Sequence, residues 1–462
     1  MGAKGNRMID KYYNGVIEQV VSGIGNVEHN SILVRYSNDF SIWDLESVNH
    51  YKDHSDIFFT CHEFSYNKIA EAYEPYLGLI RQMFHKYCSG TLEEFMEECD
   101  VYKLQRPVFE SYFENGFCER TEQILIDEVE YEQERMRNSI VTMLQKLSEI
   151  CPVVIVLNRF QLASKSTMQL SNSLLQVKNK NIGIVLGVND VQSIPEFAHE
   201  EWDAICESMD DRNMVYHIGN AGRNMEPDVM DYYSDYESDD GYRKLNNLVY
   251  FLDFDQADHH LSKIERRIKF DNFTISEKKH YQLLLLQIMV SVLQRDIAKA
   301  LESCEDLEKL QDQEKEGAFY YNFWMATSYM YLGKLEEAMI YVQKAKECGE
   351  ALGDDFLVFR AELLKAQNQM SGWCNIFFCA QDIEISDKLI EKLNAYHYKN
   401  HLAHIYIYAY DNKPEIVAKA YRSEAFLIYF SKGVALAKEI GNEQLISIAY
   451  RKNIMIASTN GE

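Results

Sequence analysis

Short apolar runs alternate with amphipathic stretches along the first half of the chain. Each run is aliphatic or aromatic and is bounded by polar residues or glycine, which is typical of strands buried on both faces. The stretches between the runs carry apolar residues at helical spacing. This alternation predicts a parallel sheet that is covered by helices on both sides. The predicted strands are residues 31–36, 56–64, 152–158, 181–190 and 213–219.

The helices between these strands are predicted from the same periodicity. Glycines follow the first helix, at Gly23 and Gly25, and favour its termination there. Pro75 lies within the third helix and predicts either a kink or a new helix start. The predicted helices occupy about residues 9–23, 42–51, 67–87, 119–150 and 165–177.

From about Lys244 onward almost every segment has helical periodicity with short breaks. The clearest pattern lies between Phe319 and Asp355, where small residues recur at fixed positions on two consecutive helices. This segment resembles a tetratricopeptide repeat, a resemblance that implies a helical solenoid of about five to six helix pairs that binds protein partners. The matching positions are Ala326, Tyr329, Gly333, Ala338 and Ala345.

An acidic segment separates the two halves. Met225 to Gly241 reads MEPDVMDYYSDYESDDG, with seven acids and three tyrosines and no regular periodicity. We interpret it as a linker, with the alternative that it is an acidic and aromatic strip that docks onto a basic surface. The predicted organisation is an α/β domain at 1–222, a linker at 223–243 and a helical repeat domain at 244–462.

Composition narrows the possible functions. The chain has 462 residues and a formal net charge of −25, without a lysine- or arginine-rich run. Such a surface repels phosphate backbones and anionic membranes, so protein partners are favoured over nucleic acid. Ten cysteines without a CxxC pair, together with an amino terminus unlike a secretory signal, predict a cytoplasmic protein. No apolar stretch is long enough to predict membrane insertion.

The first half resembles a known family over about residues 9–220. The resemblance is carried by the strands SILVRY (31–36), DIFFTCHEF (56–64) and GIVLGVND (183–190) and by the segment VLNRFQLASKST (156–167). In this order they resemble the STAND class of signal-transduction ATPases, which are relatives of the AAA+ proteins. The resemblance implies a nucleotide-binding α/β fold with a phosphate loop after the first strand and two acids at the end of the third.

The phosphate loop that the resemblance implies is lost from the sequence. Such a loop, GxxxxGK[ST], needs glycines for close backbone approach, a lysine for the terminal phosphates and a hydroxyl for magnesium. In this chain the glycine, glycine, lysine and hydroxyl positions hold Tyr36, Ser41, Ile42 and Trp43, respectively. We expect Trp43 to fill the space that a phosphate would need.

The acidic strand end is lost as well. Asn158 and Arg159 stand where the resemblance implies two acids, and neither supplies a carboxylate to hold magnesium or orient a water molecule. Asn189 at the end of the fourth strand matches the polar position at which related ATPases sense the γ-phosphate, or it is a turn residue. We therefore predict a pseudo-ATPase with no catalytic residues and no cofactor. Nucleotide binding without hydrolysis stays open.

Two groups of histidines are candidates for other chemistry. His62 and Glu63 end the second strand, and we interpret them as turn residues and not as a general-base pair. His397, His401 and His404 lie on one face of a predicted helix, with a spacing that is able to clip a metal ion. We interpret these three as histidines packed between helices, so no metal site is predicted.

The sequence as a whole predicts a non-catalytic intracellular regulator or scaffold that binds proteins through its helical repeats. An active paralogous ATPase is one partner that the family resemblance suggests. Three alternatives stay open: a nucleotide-binding switch that does not hydrolyse, a slow NTPase that uses unrecognised residues, and an adaptor or chaperone in which the repeats alone carry the function. The oligomeric state is not predicted.

Overall fold

A computed structural model describes most of the chain, and the described residues form two compact units. The described residues are 2–26, 30–36, 41–52, 56–65, 68–118, 129–177, 179–189, 198–210, 215–218, 238–270, 274–371, 387–408 and 424–460. The first unit comprises those within Met1–Val101, Val108–Glu119 and Glu132–His260, and the second those within Tyr102–Pro107, Arg120–Tyr131 and Leu261–Glu462.

The first unit is built on a five-stranded sheet in which every pair of neighbouring strands is parallel. The order across the sheet is β2-β3-β4-β1-β5, and the residues of β3 and β4 are all buried. The predicted α/β class with a parallel sheet is confirmed, and each strand lies within its predicted run. The strands are β1 (Ser31–Tyr36), β2 (Phe58–Glu63), β3 (Val153–Asn158), β4 (Ile182–Asn189) and β5 (Val215–Ile218).

Helices precede, separate and follow these strands along the chain. Several begin at a capping side chain, for example α4, where Thr91 and Glu94 form a reciprocal capping box. The helices are α1 (Gly2–Ser22), α2 (Glu46–Tyr51), α3 (Tyr76–Tyr87), α4 (Leu92–Glu98), α5 (Arg106–Asn115), α6 (Val129–Ile150), α7 (Lys165–Val177), α8 (His199–Asp210), α9 (Asp239–Tyr250) and α10 (Phe254–Phe270).

The structure corrects two predicted helices and adds others. Helix α3 begins at Tyr76 and not near residue 67, because Tyr73 has a left-handed backbone and Pro75 has no N–H to continue a helix backwards. Helix α2 begins at Glu46 and not near residue 42, because Leu45 is extended and follows a short 3₁₀ turn. Helices α4, α5 and α8 were absent from the prediction.

Helix α9 packs on the sheet unit, although residues from 244 onward were predicted to belong to the repeat domain. Asn246 donates a hydrogen bond to the Cys118 carbonyl at 2.9 Å, and Asn247 donates to the Glu71 carboxylate at 3.2 Å. Farther along, the buried carboxylate of Asp253 accepts the backbone N–H of Ser166, which stands in the first turn of α7, at 2.9 Å. These bonds make the α9 region part of the first compact unit.

The second unit is helical throughout its described residues from 274 onward, apart from turns and short connections. Consecutive helices pack against each other, notably α13 with α14, α14 with α15, and α17 with α18. Its helices after α10 are α11 (Glu277–Leu293), α12 (Ile297–Lys309), α13 (Gly317–Tyr331), α14 (Leu335–Leu352), α15 (Asp355–Ser371), α16 (Asp387–Ala395), α17 (Lys399–Tyr408), α18 (Glu424–Ile440) and α19 (Glu443–Asn460).

The three alanines of the repeat-like pattern lie where helices meet. Ala326 on α13 and Ala338 and Ala345 on α14 are fully buried in one hydrophobic cluster. Small side chains at these positions let the paired helices approach closely. The structure therefore shows an α/β unit followed by packed helices, and the finer assignment to a tetratricopeptide solenoid stays a prediction.

The turn between α13 and α14 depends on Gly333. Its φ of 72° lies in the left-handed region that glycine adopts without strain. This turn lets the Lys334 N–H donate to the Tyr329 carbonyl at 2.9 Å, and the Tyr329 ring stacks on Tyr341 of α14 with centroids 5.5 Å apart. The turn and the stacked rings fix the second helix of the pair against the first.

Some predicted features fall outside or at the edge of the described residues. Of the acidic linker, only its last residues are described, and there Ser238 caps the start of α9. His397 lies in a left-handed turn before α17, so it does not continue the helical face of His401 and His404 as predicted. No described helix combines the length and apolar character that a bilayer crossing requires.

Candidate functional site

The carboxyl ends of the central strands form the edge at which the sequence predicts a lost nucleotide site. The register pairs Tyr36 of β1 with Asn189 of β4, and Glu63 of β2 with Asn158 of β3. After β1 the chain crosses toward the β2 side of the sheet, and after β4 it crosses toward the β5 side. The connections that follow the neighbouring strands β1 and β4 therefore run in opposite directions at this edge. Ligands of open parallel sheets bind at such a switch point, outside the carboxyl ends.

The side chain of Asn158 forms a hydrogen bond inside the sheet unit. It is fully buried, and its Oδ1 accepts a hydrogen bond from the Tyr36 hydroxyl at 2.7 Å. Its Nδ2 has no hydrogen-bond partner among the described residues. The oxygen that could have offered a neutral ligand to magnesium is thus directed at a tyrosine, and the position carries no negative charge.

Gly187 of β4 makes room for this buried polar group. A side-chain carbon at this position would collide with the Tyr13 hydroxyl and would lie 2.7 Å from Oδ1 of Asn158. Burial, with a contribution from the neighbouring Tyr36, raises the pKa of Tyr13 well above its ordinary value. The Tyr13 hydroxyl is therefore protonated at neutral pH, and two tyrosines and an asparagine fill the interior behind the strand ends.

A carboxylate of the sheet itself occupies donors in the predicted phosphate loop. Oε2 of Glu63 accepts hydrogen bonds from the Ser41 hydroxyl at 3.1 Å and from the Ile42 backbone N–H at 3.2 Å. Oε1 of Glu63 lies 3.5 Å from Nη1 of Arg159. A hydroxyl, a backbone N–H and a guanidinium are the kinds of group that bind phosphate. The chain thus supplies its own anion at this edge.

Arg159 is held in an uncommon backbone conformation at this position. Its φ of 52° lies in the left-handed region, which costs about 1–2 kcal/mol for a residue other than glycine. The guanidinium and the Glu63 carboxylate are largely buried, with exposed side-chain fractions of 20% and 12%, so screening by solvent is reduced. The Arg159 guanidinium is thus directed at the Glu63 carboxylate.

Asn189 is joined to the segment that follows β3. The Asn189 backbone N–H donates to Oε1 of Gln161 at 3.2 Å, and both residues are buried. Phe160, the residue before, packs edge-on against Phe64 and is also fully buried. The NRFQLAS segment thus holds β3 and β4 together. The contacts described for this segment join it to other parts of the sheet unit.

The predicted loop positions differ in their surroundings. Ile42, at the lysine position, is fully buried. Trp43 is 50% exposed, and the expectation that its ring fills the phosphate space stays a prediction. The Glu63 carboxylate reaches two described positions of the loop through its bonds to Ser41 and Ile42.

His62 and Glu63 lie in β2 and not in the predicted turn. Consecutive strand residues point to opposite faces, so the two do not form a general-base pair. His62 faces Glu74, with Nε2 3.5 Å from Oε1, and burial lowers the pKa of His62 to about 4. His62 is therefore neutral at physiological pH.

Glu63 is the residue whose role the sequence reasoning missed. Its position after His62 invited a comparison with catalytic pairs, whereas its partners come from two other segments of the chain. The available signal was the alternation of β2, which places Glu63 and His62 on opposite faces and Glu63 at the strand end beside Asn158.

No family model, curated protein or solved structure matches this chain. The assignment of a function therefore rests on the chemistry of the residues described above.

Among the residues that the structure describes, no group of three or more His, Cys, Asp or Glu side chains is arranged to hold a metal ion. Of the strand-end residues that the structure describes, Asn158 is bonded to Tyr36 and the Glu63 carboxylate pairs with Arg159, so neither is suited to hold magnesium.

Nucleotide chemistry at this edge would need groups that are engaged elsewhere. A phosphate that used Ser41, Ile42 and Arg159 would have to displace Glu63, and it would then meet the displaced carboxylate as a like charge. Ile42 offers no ammonium group to the terminal phosphates. The arrangement is suited to holding three segments of the sheet domain together.

Proposed function

We propose that this chain is a non-catalytic regulator or scaffold that binds protein partners through its helical unit, with a pseudo-ATPase sheet unit. The observation that supports this proposal most is the contact of Glu63 with Ser41, Ile42 and Arg159. One loss at a nucleotide site can be repaired by a neighbour. Here the neighbouring group is the Glu63 carboxylate, which repels phosphate and occupies three of the described donors.

The resemblance to STAND ATPases and to tetratricopeptide repeats enters this proposal as an expectation. A parallel sheet with aligned carboxyl ends at β1, β3 and β4 is compatible with the first resemblance, and the buried Ala326, Ala338 and Ala345 are compatible with the second. Stacked helix pairs present extended surfaces, which are normally used for recognition. Protein binding is therefore the activity that we assign to the helical unit.

Affinity purification of the tagged full-length chain from its native cells tests this activity. We expect a protein partner in a fixed ratio to the chain, measured by quantitative mass spectrometry after size-exclusion chromatography. A tagged chain with Ala338→Leu should lose that partner, because the larger side chain overpacks the α13–α14 contact. A chain that elutes alone and releases phosphate from ATP above the buffer rate would contradict the proposed function.

A further inference from the structure

The sheet unit contains a groove at the end of the strands opposite to Asn158. It lies between the end of α3, helix α4 and the last residue of α6, and its volume is about 820 Å³. Tyr87 on its wall packs edge-on against Phe58, the first residue of β2. A volume of this size is within the range of natural ligand pockets. The groove is remote from the strand ends that carry the candidate site.

The floor and one wall of the groove are apolar. Phe84 and Phe95 pack with ring centroids 5.2 Å apart and line the floor. Ile150, at the end of α6, lines the groove with 53% of its surface exposed to solvent. Covering such a residue removes apolar area from water, which favours association.

The rim that α4 contributes is acidic. Glu93, Glu97 and Glu98 line the groove and are exposed, while Glu94 caps the helix through Thr91. Two described lysines lie close. Lys146 has its Nζ 3.8 Å from Glu98, and Lys86 lies over the ring of Tyr87 at 5.0 Å. Among the described residues, α4 thus brings four carboxylates to this groove, against these two lysines.

We propose that this groove binds a basic segment of a partner protein, in which an aliphatic or aromatic side chain is flanked by lysine or arginine. The apolar side chain would cover Phe84, Phe95 and Ile150, and the cations would pair with the α4 carboxylates. The net charge of −25 argues against a second copy of the chain, because two such surfaces repel each other.

Fluorescence anisotropy with the full-length chain tests the proposal directly. The probe is a labelled peptide, acetyl-KKLFKIKK-amide, and its acidic counterpart, acetyl-EELFEIEE-amide, serves as the comparison. We expect saturable binding of the basic probe alone, with an affinity that falls as salt is raised. Absence of saturable binding, or equal binding of the acidic probe, would overturn the proposal.

Matched variants distinguish binding of the probe in the groove from its attraction to the net charge of the chain. The double variant Glu93→Lys with Glu97→Lys should lower the affinity for the basic probe about 10-fold or more, and Ile150→Ser should lower it about 3- to 10-fold. The controls are Glu336→Lys with Glu337→Lys and Ile340→Ser, which make the same changes at exposed positions of α14. If the control variants lower the affinity for the probe as strongly as the groove variants do, the probe is attracted by the net charge alone. The groove would then be rejected as its binding site.

Discussion

Asn158→Asp should destabilise the protein by about 3 kcal/mol at pH 8 without creating ATP hydrolysis. The site is fully buried, so a carboxylate there loses its hydration, and the Tyr36 hydroxyl is the one described donor to it. Hydrolysis is not expected because Ile42 supplies no ammonium group and Glu63 still occupies Ser41, Ile42 and Arg159. Urea denaturation and a phosphate-release assay measure the two effects.

The pH dependence of the Asn158→Asp variant has a definite sign. Burial raises the pKa of the introduced carboxyl group in the folded variant above its value in the unfolded chain, which is about 3.9. The variant is therefore closest to the parent in stability below that unfolded value, and the deficit grows as the pH rises through the folded pKa. The exposed Asn453→Asp on α19 is the matched control and should change stability little. An Asn158→Asp variant that is as stable as the parent and hydrolyses ATP would contradict the expected result.

Gly187→Ala should lower the free energy of unfolding by about 2–3 kcal/mol. The added methyl group would collide with the Tyr13 hydroxyl and press on Oδ1 of Asn158, both inside a filled interior. Either the tyrosine or strand β4 must shift, and the bond between Tyr36 and Asn158 is weakened with it. Equilibrium denaturation in urea measures the loss.

Gly15→Ala is the matched control for this substitution. Gly15 lies on the exposed side of α1, two residues after Tyr13, and an added methyl group there meets nothing within 4 Å. Alanine is the better helix former by about 1 kcal/mol, so this variant should be as stable as the parent or more stable. Equal losses for both substitutions would mean that the collision at Gly187 is relieved without cost.

The sheet could be predicted from the sequence because its signal is local. SILVRY, PVVIVLN and NIGIVLGVND are short aliphatic runs, and the structure places β1, β3 and β4 within them. Helix α7 begins and ends at the predicted residues 165 and 177 for the same reason. The start of α3 was predicted too early, since its apolar spacing continues past Pro75 although the backbone cannot.

Such local patterns do not predict the contacts of the candidate site. Tyr36 and Asn158 are separated by 122 positions in the sequence, and no local periodicity records that their side chains bond. The same holds for Glu63, whose partners Ser41 and Arg159 come from two other segments. The sequence showed which groups a nucleotide would lack, but it did not show that an internal carboxylate contacts Ser41, Ile42 and Arg159.

Helix α9 illustrates the same limit at the scale of a domain. Its spacing is helical, and it directly precedes the repeat-like helices, so a pattern alone assigns it to them. Its asparagines instead bond to Cys118 and Glu71 of the sheet unit. Contacts between distant segments decide which unit a helix joins, and local spacing does not record them.

Titration of the full-length chain with magnesium ATP in an isothermal calorimeter is the most direct test of the closed strand edge. We expect no saturable heat up to about 1 mM nucleotide, because Glu63 holds Ser41, the Ile42 N–H and Arg159, and Ile42 replaces the lysine. Stoichiometric binding with a dissociation constant below about 100 μM would contradict it.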